Sequence, residues 1–425
     1  MDSRQLRSAI WFVFAVVSLA VARPRHQVAA GPHLRRMMLS RSEDNDWEPS
    51  VAVGPNAAVY VTAIRSDAAR ERAVIWSSHD GGRSFGSATM TDSTVGQGDV
   101  RVKTDDNGTI YVSSIGRGLD LATSRDGGKT FATRTIETQE LRDKPELAVS
   151  LSGRDLYIAF DGRHGPTVMV SHDGAAHWQR IVAFRTDTMH HWPSAISAAD
   201  DHRVYFTAST FTLARLADSV TENTMRIFAS ADDGHAWASQ VLARGPRVRQ
   251  GCVHNSSPTS SCLVKVPTSS IAVDAKGRVY AAYTTGQVRQ AYRMYFVRSA
   301  DGGRTWSDPT ELGSATRALS GDRADIDFPM VAAAGDGLVY LVWADDHDGP
   351  VSVWATRSSD GGRRWSADVR LSRDDQPMNA EFYGDYGGVA IDARGALHVA
   401  WGEGVGSIGR GQGHTWYAQW DGTLP

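Results

Sequence analysis

The sequence predicts an all-β protein in which one strand-rich unit is repeated along most of the chain, and three observations support this. A short motif, an aspartate closely followed by glycine, returns six times at spacings of 46 to 69 residues. Short apolar runs rich in β-branched and aromatic residues flank each copy, as is typical of β-strands. The 41 glycines and 13 tryptophans suit many tight turns and large rings packed between sheets.

The chain begins with an element that does not belong to the repeat. Arg4 and Arg7 precede an apolar stretch from Ala9 to Ala22 that ends in small residues. Such a stretch is short for the hydrocarbon core of a bilayer, whereas this order of charge, apolar run and small residues is typical of a secretory signal peptide. We therefore expect residues 1–22 to be a signal peptide and residues 23–425 to form one secreted or periplasmic domain. An uncleaved N-terminal anchor is the alternative.

Each repeated unit combines a pair of apolar strands with the aspartate motif. The aspartate can accept bonds from the following backbone N–H groups while the glycine adopts a positive φ, so the motif predicts a tight hairpin. The six motif aspartates are Asp80, Asp126, Asp173, Asp232, Asp301 and Asp360. Counting the strand pairs gives seven units, which start near Glu48, Gln97, Lys144, Trp192, Val266, Phe328 and Tyr386.

The two ends of the chain complement each other. The seventh unit lacks the aspartate motif, and its third strand ends near Trp420. A β-like segment from Leu34 to Leu39 precedes the first unit and has no unit of its own. Pairing this segment with the seventh unit would supply a fourth strand and remove the free sheet edges. We therefore predict one seven-bladed β-propeller whose N-terminal strand closes the last blade, with six blades as the alternative.

Composition excludes several other classes of protein. With 45 basic against 48 acidic residues the net charge is −3, and 41% of residues are hydrophobic. This balance fits neither a disordered chain nor the basic face of a nucleic-acid-binding protein. Cys252 and Cys262 favour a disulfide in an exported protein. We expect no cofactor, no nucleic-acid partner and no membrane span in the mature chain, which we expect to be a monomer.

The pattern Ser-x-Asp-x-Gly-x-Thr-Trp, seen for example at Ser299–Trp306, resembles the Asp-box or BNR repeat of sialidase-like propellers. In that superfamily the boxes are structural and lie on the face away from the substrate, so the resemblance implies a structural role for the six motif aspartates. It also implies glycosidase activity. However, Trp47-Glu48-Pro49 stands where those enzymes have an Arg-Ile-Pro motif, and the arginine is missing.

Loop lengths indicate which face carries a site. Within each unit the turn after the first strand and the box turn are short, and they fall on one face of the ring. The longer, more variable connections gather on the opposite face, where the inner strands begin at positions such as Glu48 and Tyr386. We call this face the channel mouth. Variable loops on a rigid scaffold usually carry function, so we expect the site there.

Carboxylates and aromatic rings converge at the channel mouth. Rings stack on the apolar faces of sugars and a close pair of acids can cleave a glycosidic bond, so we expect a glycan or glycoconjugate as partner. The candidate catalytic residues are Tyr386, Glu48, Asp67, Asp385 and Glu381, with Tyr386 similar in place to the sialidase nucleophile and Asp67 to the acid/base aspartate. The candidate substrate-binding residues are Trp47, Arg142, His191, Trp192, Asp327 and Tyr383.

Two further hypotheses remain open. The missing arginine and the long loops 212–223 and 287–293 also suit a non-catalytic platform that binds a glycan or a protein. A metal site formed by His190, His191, Asp325 and Asp327 is disfavoured, because adjacent histidines on a strand point to opposite sides. We therefore assign no metal ligands.

Overall fold

The structure is a computed structural model that describes residues 33–67, 70–92, 96–199, 202–212, 220–248, 268–286, 292–313, 326–345, 351–375, 381–382, 384–405 and 411–423. In these ranges every regular element is a β-strand, and the strands form seven antiparallel sheets. The predicted seven-bladed β-propeller is confirmed. The described ranges hold no helix long and apolar enough to cross a bilayer. The expected signal peptide and both cysteines lie outside the described residues.

The first strand, β1 (Leu34–Met38), precedes the first blade. Blade 1 contains β2 (Asp46–Val53), β3 (Val59–Ser66), β4 (Glu71–Ser78) and β5 (Thr89–Met90). Blade 2 contains β6 (Gly98–Thr104), β7 (Ile110–Ile115), β8 (Leu119–Ser124) and β9 (Ala132–Glu137). Blade 3 contains β10 (Leu141–Val149), β11 (Leu156–Gly162), β12 (Gly165–Ser171) and β13 (Gln179–Val182).

The remaining blades follow the same order. Blade 4 contains β14 (Met189–Ala198), β15 (Val204–Thr212), β16 (Val220–Ser230) and β17 (Ala238–Val248). Blade 5 contains β18 (Ser269–Val273), β19 (Val279–Thr285), β20 (Arg293–Ser299) and β21 (Thr310–Leu312). Blade 6 contains β22 (Ile326–Ala334), β23 (Leu338–Asp345), β24 (Ser352–Ser358) and β25 (Val369–Arg370). Blade 7 contains β26 (Glu381–Phe382), β27 (Gly388–Ile391), β28 (Leu397–Val405), β29 (Gln412–Trp420) and β1.

The N-terminal strand closes the ring as predicted. Strand β1 pairs antiparallel with β29, from Leu34 opposite Trp420 to Met38 opposite Trp416. The Arg36 guanidinium then reaches the preceding blade, where its Nε donates to the carbonyl of Leu371 at 2.6 Å. The N-terminal strand thus becomes the outermost strand of blade 7 and covers the edge of β29.

The aspartate boxes are hairpins held by the aspartate side chain. In blade 2, Asp126 Oδ1 accepts from the Ser124 hydroxyl at 2.8 Å and from the Lys129 and Thr130 amides at 3.0 Å. Asp126 Oδ2 accepts from the Thr130 hydroxyl at 2.6 Å. Gly128, with φ of 85°, lets the backbone turn back toward Ser124 in a conformation that favours glycine.

The boxes and the turns between first and second strands lie on the same face. In blade 1 the Gly81 amide donates to the Ala57 carbonyl at 2.8 Å, and in blade 6 the Gly361 amide donates to the Gly337 carbonyl at 2.9 Å. We call this the box face. Because each strand reverses direction, the starts of the inner strands lie on the opposite face, at the channel mouth.

Aromatic side chains after the boxes join neighbouring blades. Trp365, which follows the box of blade 6, packs edge-on against Phe296 of blade 5 with ring centres 4.9 Å apart. Phe85 of blade 1 packs in the same way against Tyr417 of blade 7. The hydrophobic core therefore lies between blades, and it fixes their relative positions around the channel.

Candidate functional site

The inner strands of four blades share an irregularity at the channel mouth. Glu48, Asp99, Lys144 and Phe328 have φ values of 51°, 47°, 57° and 52°. Each lies at a shift in the register between the inner strand and its neighbour. A β-bulge of this kind re-aims a side chain, and the left-handed conformation costs a residue with a side chain of the order of 1–3 kcal/mol. The fold therefore holds these side chains in unusual orientations, and three of them are charged.

Lys144 is the centre of a buried charged cluster. Its Nζ contacts Asp385 Oδ2 of blade 7 and lies 3.6 Å from Asp99 Oδ1 of blade 2. Only 12% of the Lys144 side chain is exposed, against 35% of Asp385. Burial opposes the charge of Lys144, but the carboxylates of Asp385, Asp99 and Glu48 outweigh it and raise its pKa well above the usual range. Lys144 is a permanent cation that joins blades 2, 3 and 7.

Glu48 and Asp385 form an acid pair beside Lys144. The Asp385 amide donates to Glu48 Oε1 at 3.1 Å, which makes the two residues close neighbours. Burial, and then repulsion from Asp385, raises the pKa of Glu48 well above its usual value. Burial also acts on Asp385, but attraction to Lys144 prevails and lowers its pKa to about 2. Glu48 is therefore the member of the pair that keeps its proton to the higher pH.

Asp143 and Asp99 form a second acid pair on the other side of Lys144. Burial, followed by the charge of Asp99, raises the pKa of Asp143 to about 8. Asp143 Oδ1 also accepts from the Lys144 amide at 2.9 Å. Four carboxyl groups from four consecutive positions of the ring, blades 7, 1, 2 and 3, thus surround one ammonium group, and burial raises the pKa of two of them, Glu48 and Asp143.

An arginine and a tyrosine complete this side of the channel. Arg101 binds the Glu146 carboxylate through two N–H groups, with Nε 2.8 Å from Oε2. Arg101 Cζ also lies 3.3 Å from the centre of the Tyr386 ring. Burial is the main cause that raises the pKa of Tyr386 well above its usual value. The Tyr386 hydroxyl is buried without a hydrogen-bond partner among the described residues.

Blade 4 contributes an aromatic residue and two histidines. The Trp192 ring centre lies 5.7 Å from Lys144 Nζ. The ring of His190 lies 6.4 Å from that of Trp192, and its Nδ1 is 2.5 Å from Asp161 Oδ2. His191 points into the blade, where burial and then the charge of Arg226 lower its pKa to about 3.

Three of the five predicted catalytic residues meet in the structure: Glu48, Asp385 and Tyr386. Asp67 instead lies on the exposed connection after β3, where its carboxylate binds Arg72. Glu381 pairs through its backbone with Gly404 in blade 7, and its side chain lies outside the described residues.

The predicted substrate-binding residues are more scattered. Trp192 borders the cluster. Trp47 Nε1 donates to the Ser66 hydroxyl at 2.9 Å, and an Arg142 N–H donates to the Arg163 carbonyl at 3.0 Å. The Asp327 carboxylate accepts from Thr268 at 3.5 Å. His191 has no exposed surface, and Tyr383 lies outside the described residues.

Sequence reasoning did not select Asp99, Arg101, Asp143, Lys144 and Glu146 as site residues. A signal for them was present, because Asp99 and Lys144 occupy in their units the place that Glu48 occupies in blade 1. Glu48 was selected as one of the carboxylates at the channel mouth, and Asp99 and Lys144 stand at equivalent positions of their own units.

Comparison with protein-family models gives no match, and comparison with curated proteins gives none either. Among solved structures, the chain is similar to an ulvan lyase of polysaccharide lyase family PL25 with a GlcA(1-4)Rha3S saccharide bound. The TM-score is 0.60 at 13% identity, over 90% of this chain and 95% of the lyase. A protein of unknown function from Dyadobacter fermentans gives a TM-score of 0.53 at 16% identity, over 91% of this chain and 99% of that one. The NanB sialidase of Streptococcus pneumoniae gives 0.47 at 10% identity, over 90% of this chain and 70% of the sialidase.

At these identities the similarity is one of fold. The seven sheets of the ring agree with the fold expected from the resemblance to sialidase-like propellers. A shared fold does not by itself carry a shared activity. The function has to be argued from the acid pairs, the lysine and the rings at the channel mouth.

Proposed function

We propose that the chain is a secreted, glycan-active propeller, and that it hydrolyses a glycosidic bond at the channel mouth. The acid pair of Glu48 and Asp385 delivers the proton to the glycosidic oxygen. The proposal rests above all on this pair, in which burial and the charge of Asp385 raise the pKa of Glu48 well above its usual value, while Lys144 keeps Asp385 ionised. A carboxylic acid whose pKa is raised in this way is the group that glycosidases use as general acid.

The cluster also offers groups that bind sugars. Trp192, which is only partly buried, presents an aromatic ring, on which the apolar face of a sugar can stack. The Tyr386 hydroxyl and Asp385 Oδ1 have no hydrogen-bond partner among the described residues. A sugar hydroxyl at either atom would satisfy a buried polar group that otherwise carries a cost. The ulvan lyase with this architecture binds a saccharide, which makes glycans the first ligand class to test.

Sialic acid is a poor fit for this site. Its carboxylate is best held by the planar fork of a free guanidinium group. The fork of Arg101 is bound by Glu146, and that of Arg65 is bound by Asp44 and Asp46. We therefore propose glycosides other than sialosides as substrates.

The test is a screen of the purified protein against 4-nitrophenyl glycosides and an array of immobilised glycans. For a glycan that is cleaved, Glu48→Gln removes the proton donor and keeps its shape. We expect turnover to fall about 10²- to 10⁴-fold, with binding retained. Glu43→Gln is the matched control, because Glu43 is exposed and its carboxylate contacts only Arg41 and the Ser42 hydroxyl in the described structure.

The same screen separates the alternative function. Binding of a glycan without turnover by the wild-type protein would favour a non-catalytic platform. Neither binding nor turnover across the panel would contradict a glycan-active site of any kind. The platform hypothesis has its own support, since Lys144 neutralises the ionised carboxylates and could hold the blades together without catalysis.

Export is a separate part of the proposal. We propose that residues 1–22 are removed as a signal peptide and that Cys252 and Cys262 form a disulfide, on the sequence features alone. Intact mass measurement of the exported protein, before and after reduction and alkylation, tests both points. A retained N-terminus or two free thiols would contradict the corresponding part.

A further inference from the structure

We infer that His190, oriented by Asp161, is the catalytic residue that accepts the proton from water in the reaction at the channel mouth. This inference rests on the proposed function and adds a second reacting group to it. The starting observation is a histidine and carboxylate pair that lies next to Trp192 and takes no part in the acid pairs.

Both oxygens of Asp161 hold the His190 segment in place. Oδ2 lies 2.5 Å from His190 Nδ1, and Oδ1 accepts from the His191 amide at 3.0 Å. The Asp161 side chain has no exposed surface. Because a carboxylate can only accept here, Nδ1 is the donor, and in the neutral imidazole the lone pair is on Nε2. The Nε2 atom has no hydrogen-bond partner among the described residues, and 17% of the His190 side chain is exposed.

The aromatic neighbours of His190 link it to the acid pair. The imidazole lies against Phe211, with ring centres 5.3 Å apart, and 6.4 Å from the ring of Trp192. The same Trp192 ring lies 5.7 Å from Lys144 Nζ, which in turn contacts Asp385. A sugar stacked on Trp192 would therefore have the imidazole and the acid pair as neighbours.

Hydrolysis requires such a second group. In glycosidases that activate water directly, acid and base stand about 6.5–9.5 Å apart to leave room for that water, whereas the Asp385 amide bonds directly to Glu48 Oε1 at 3.1 Å. The charge of Asp385 is further neutralised by Lys144. His190 supplies a separate acceptor that is neither bonded to the acid pair nor paired with a cation.

The proposed step transfers two protons and adds one water molecule. The oxygen of water attacks the anomeric carbon as the glycosidic C–O bond breaks, and the bonding electrons pass to the leaving oxygen. That oxygen takes the proton of Glu48, while a proton of the water passes to His190 Nε2. The Asp161 carboxylate stabilises the imidazolium that forms. Release of this proton to solvent and its uptake by Glu48 restore the starting state.

The test compares two leaving groups on the glycoside that the screen identifies. A 2,4-dinitrophenyl group leaves without protonation, so Glu48→Gln should cleave this glycoside almost normally. His190→Ala should lower kcat about 10²- to 10⁴-fold on both the dinitrophenyl and the natural leaving group, with KM changed less than about threefold. Added imidazole should restore part of the lost kcat, because it can enter the space of the missing side chain.

Two variants keep the test decisive. His177→Ala is the matched control, since His177 also pairs with an aspartate, Asp173 at 2.6 Å, but on the box face; it should retain wild-type kcat. If His190→Ala does not fold, as judged by circular dichroism, Asp161→Asn replaces it and should lower kcat without changing KM. Wild-type kcat in the His190 or Asp161 variant, or a loss in folded His190→Ala that imidazole leaves unchanged, would overturn the inference. If the wild-type protein cleaves nothing, the proposed function itself has failed.

Discussion

The two faces of the ring use the same residue type in opposite ways. On the box face, the Thr130 hydroxyl and the surrounding N–H groups hold the pKa of Asp126 far below its usual range. At the channel mouth, burial and the charge of Asp99 raise the pKa of Asp143 to about 8. Hydrogen-bond donors favour the charged form of a carboxyl group, whereas burial beside another carboxylate favours the neutral form. The comparison shows that an aspartate that caps a turn and one that holds a proton differ only in their surroundings.

The ion pairs of the two faces differ in the same way. Lys276 on the box face binds Asp336 at 2.6 Å, and both side chains are more than half exposed. Lys144 at the channel mouth is largely buried and faces several carboxyl groups from other blades. Water solvates the exposed pair of Lys276 and Asp336, so the pair adds little to stability. The charges around Lys144 are shielded from water and are stabilised mainly by one another.

The largest expected effect comes from removing the buried lysine. In Lys144→Met the carboxylates of Asp385 and Asp99 lose their cation, although both are partly shielded from water. We expect the free energy of unfolding to fall by about 3–5 kcal/mol, measured by urea denaturation at pH 7.

The matched control is Lys276→Met on the box face. Exposed ion pairs contribute about 0–1 kcal/mol, so this variant should unfold almost like the wild type. Equal losses of unfolding free energy in the two variants would contradict the view that burial makes the lysine at the channel mouth more important for stability than the one on the box face.

A smaller effect is expected in the pH dependence of stability. Asp143 releases its proton near pH 4 in the unfolded chain but at about pH 8 in the folded protein. Folding therefore takes up a proton between these values, and the free energy of unfolding should fall as the pH rises from about 4 to about 8. Asp143→Asn cannot titrate, so urea denaturation over this range should give it a flatter profile than the wild type.

The two profiles should converge at low pH, where Asp143 is protonated in both states. A wild-type profile as flat as that of Asp143→Asn would mean that Asp143 is ionised in the folded protein at neutral pH. The second acid pair would then not exist.

The smallest effect is expected from a single box. Asp126→Asn weakens the bonds that hold one exposed hairpin, and five other boxes remain. We expect a lower midpoint of thermal unfolding, measured by circular dichroism, and unchanged turnover of any glycan that the protein cleaves. A loss of turnover with an unchanged midpoint would mean that the site lies on the box face and not at the channel mouth.

The architecture could be predicted because each unit carries its own local signal. The boxes, the strand pairs and the orphan strand β1 are short segments whose residues contact near neighbours in sequence, apart from the closing pair of β1 and β29. We predicted that β1 closes the ring because a count of the strands left the seventh unit one strand short.

The site could be predicted only in part, because it is made of contacts between blades. Lys144 and Asp385 are 241 positions apart, and nothing local to either residue indicates the other. The sequence also does not show to which side of its strand each side chain points. His191 was selected as a site residue but lies inside blade 4, while its neighbour His190 borders Trp192. Neighbouring residues of a strand point to opposite sides, so an error of one position reverses the assignment. Strand β14 also has a register shift between Pro193 and Ala195, which the periodicity of the sequence does not reveal.

The central claim is that Glu48 keeps a proton at neutral pH, and carbon-13 NMR of the glutamate carboxyl groups tests it most directly. In protein labelled at the glutamate side-chain carboxyl, we expect one resonance to keep the shift of the protonated form at pH 7 and to be missing from Glu48→Gln. A Glu48 resonance that titrates with the exposed glutamates, near pH 4 to 5, would contradict the account.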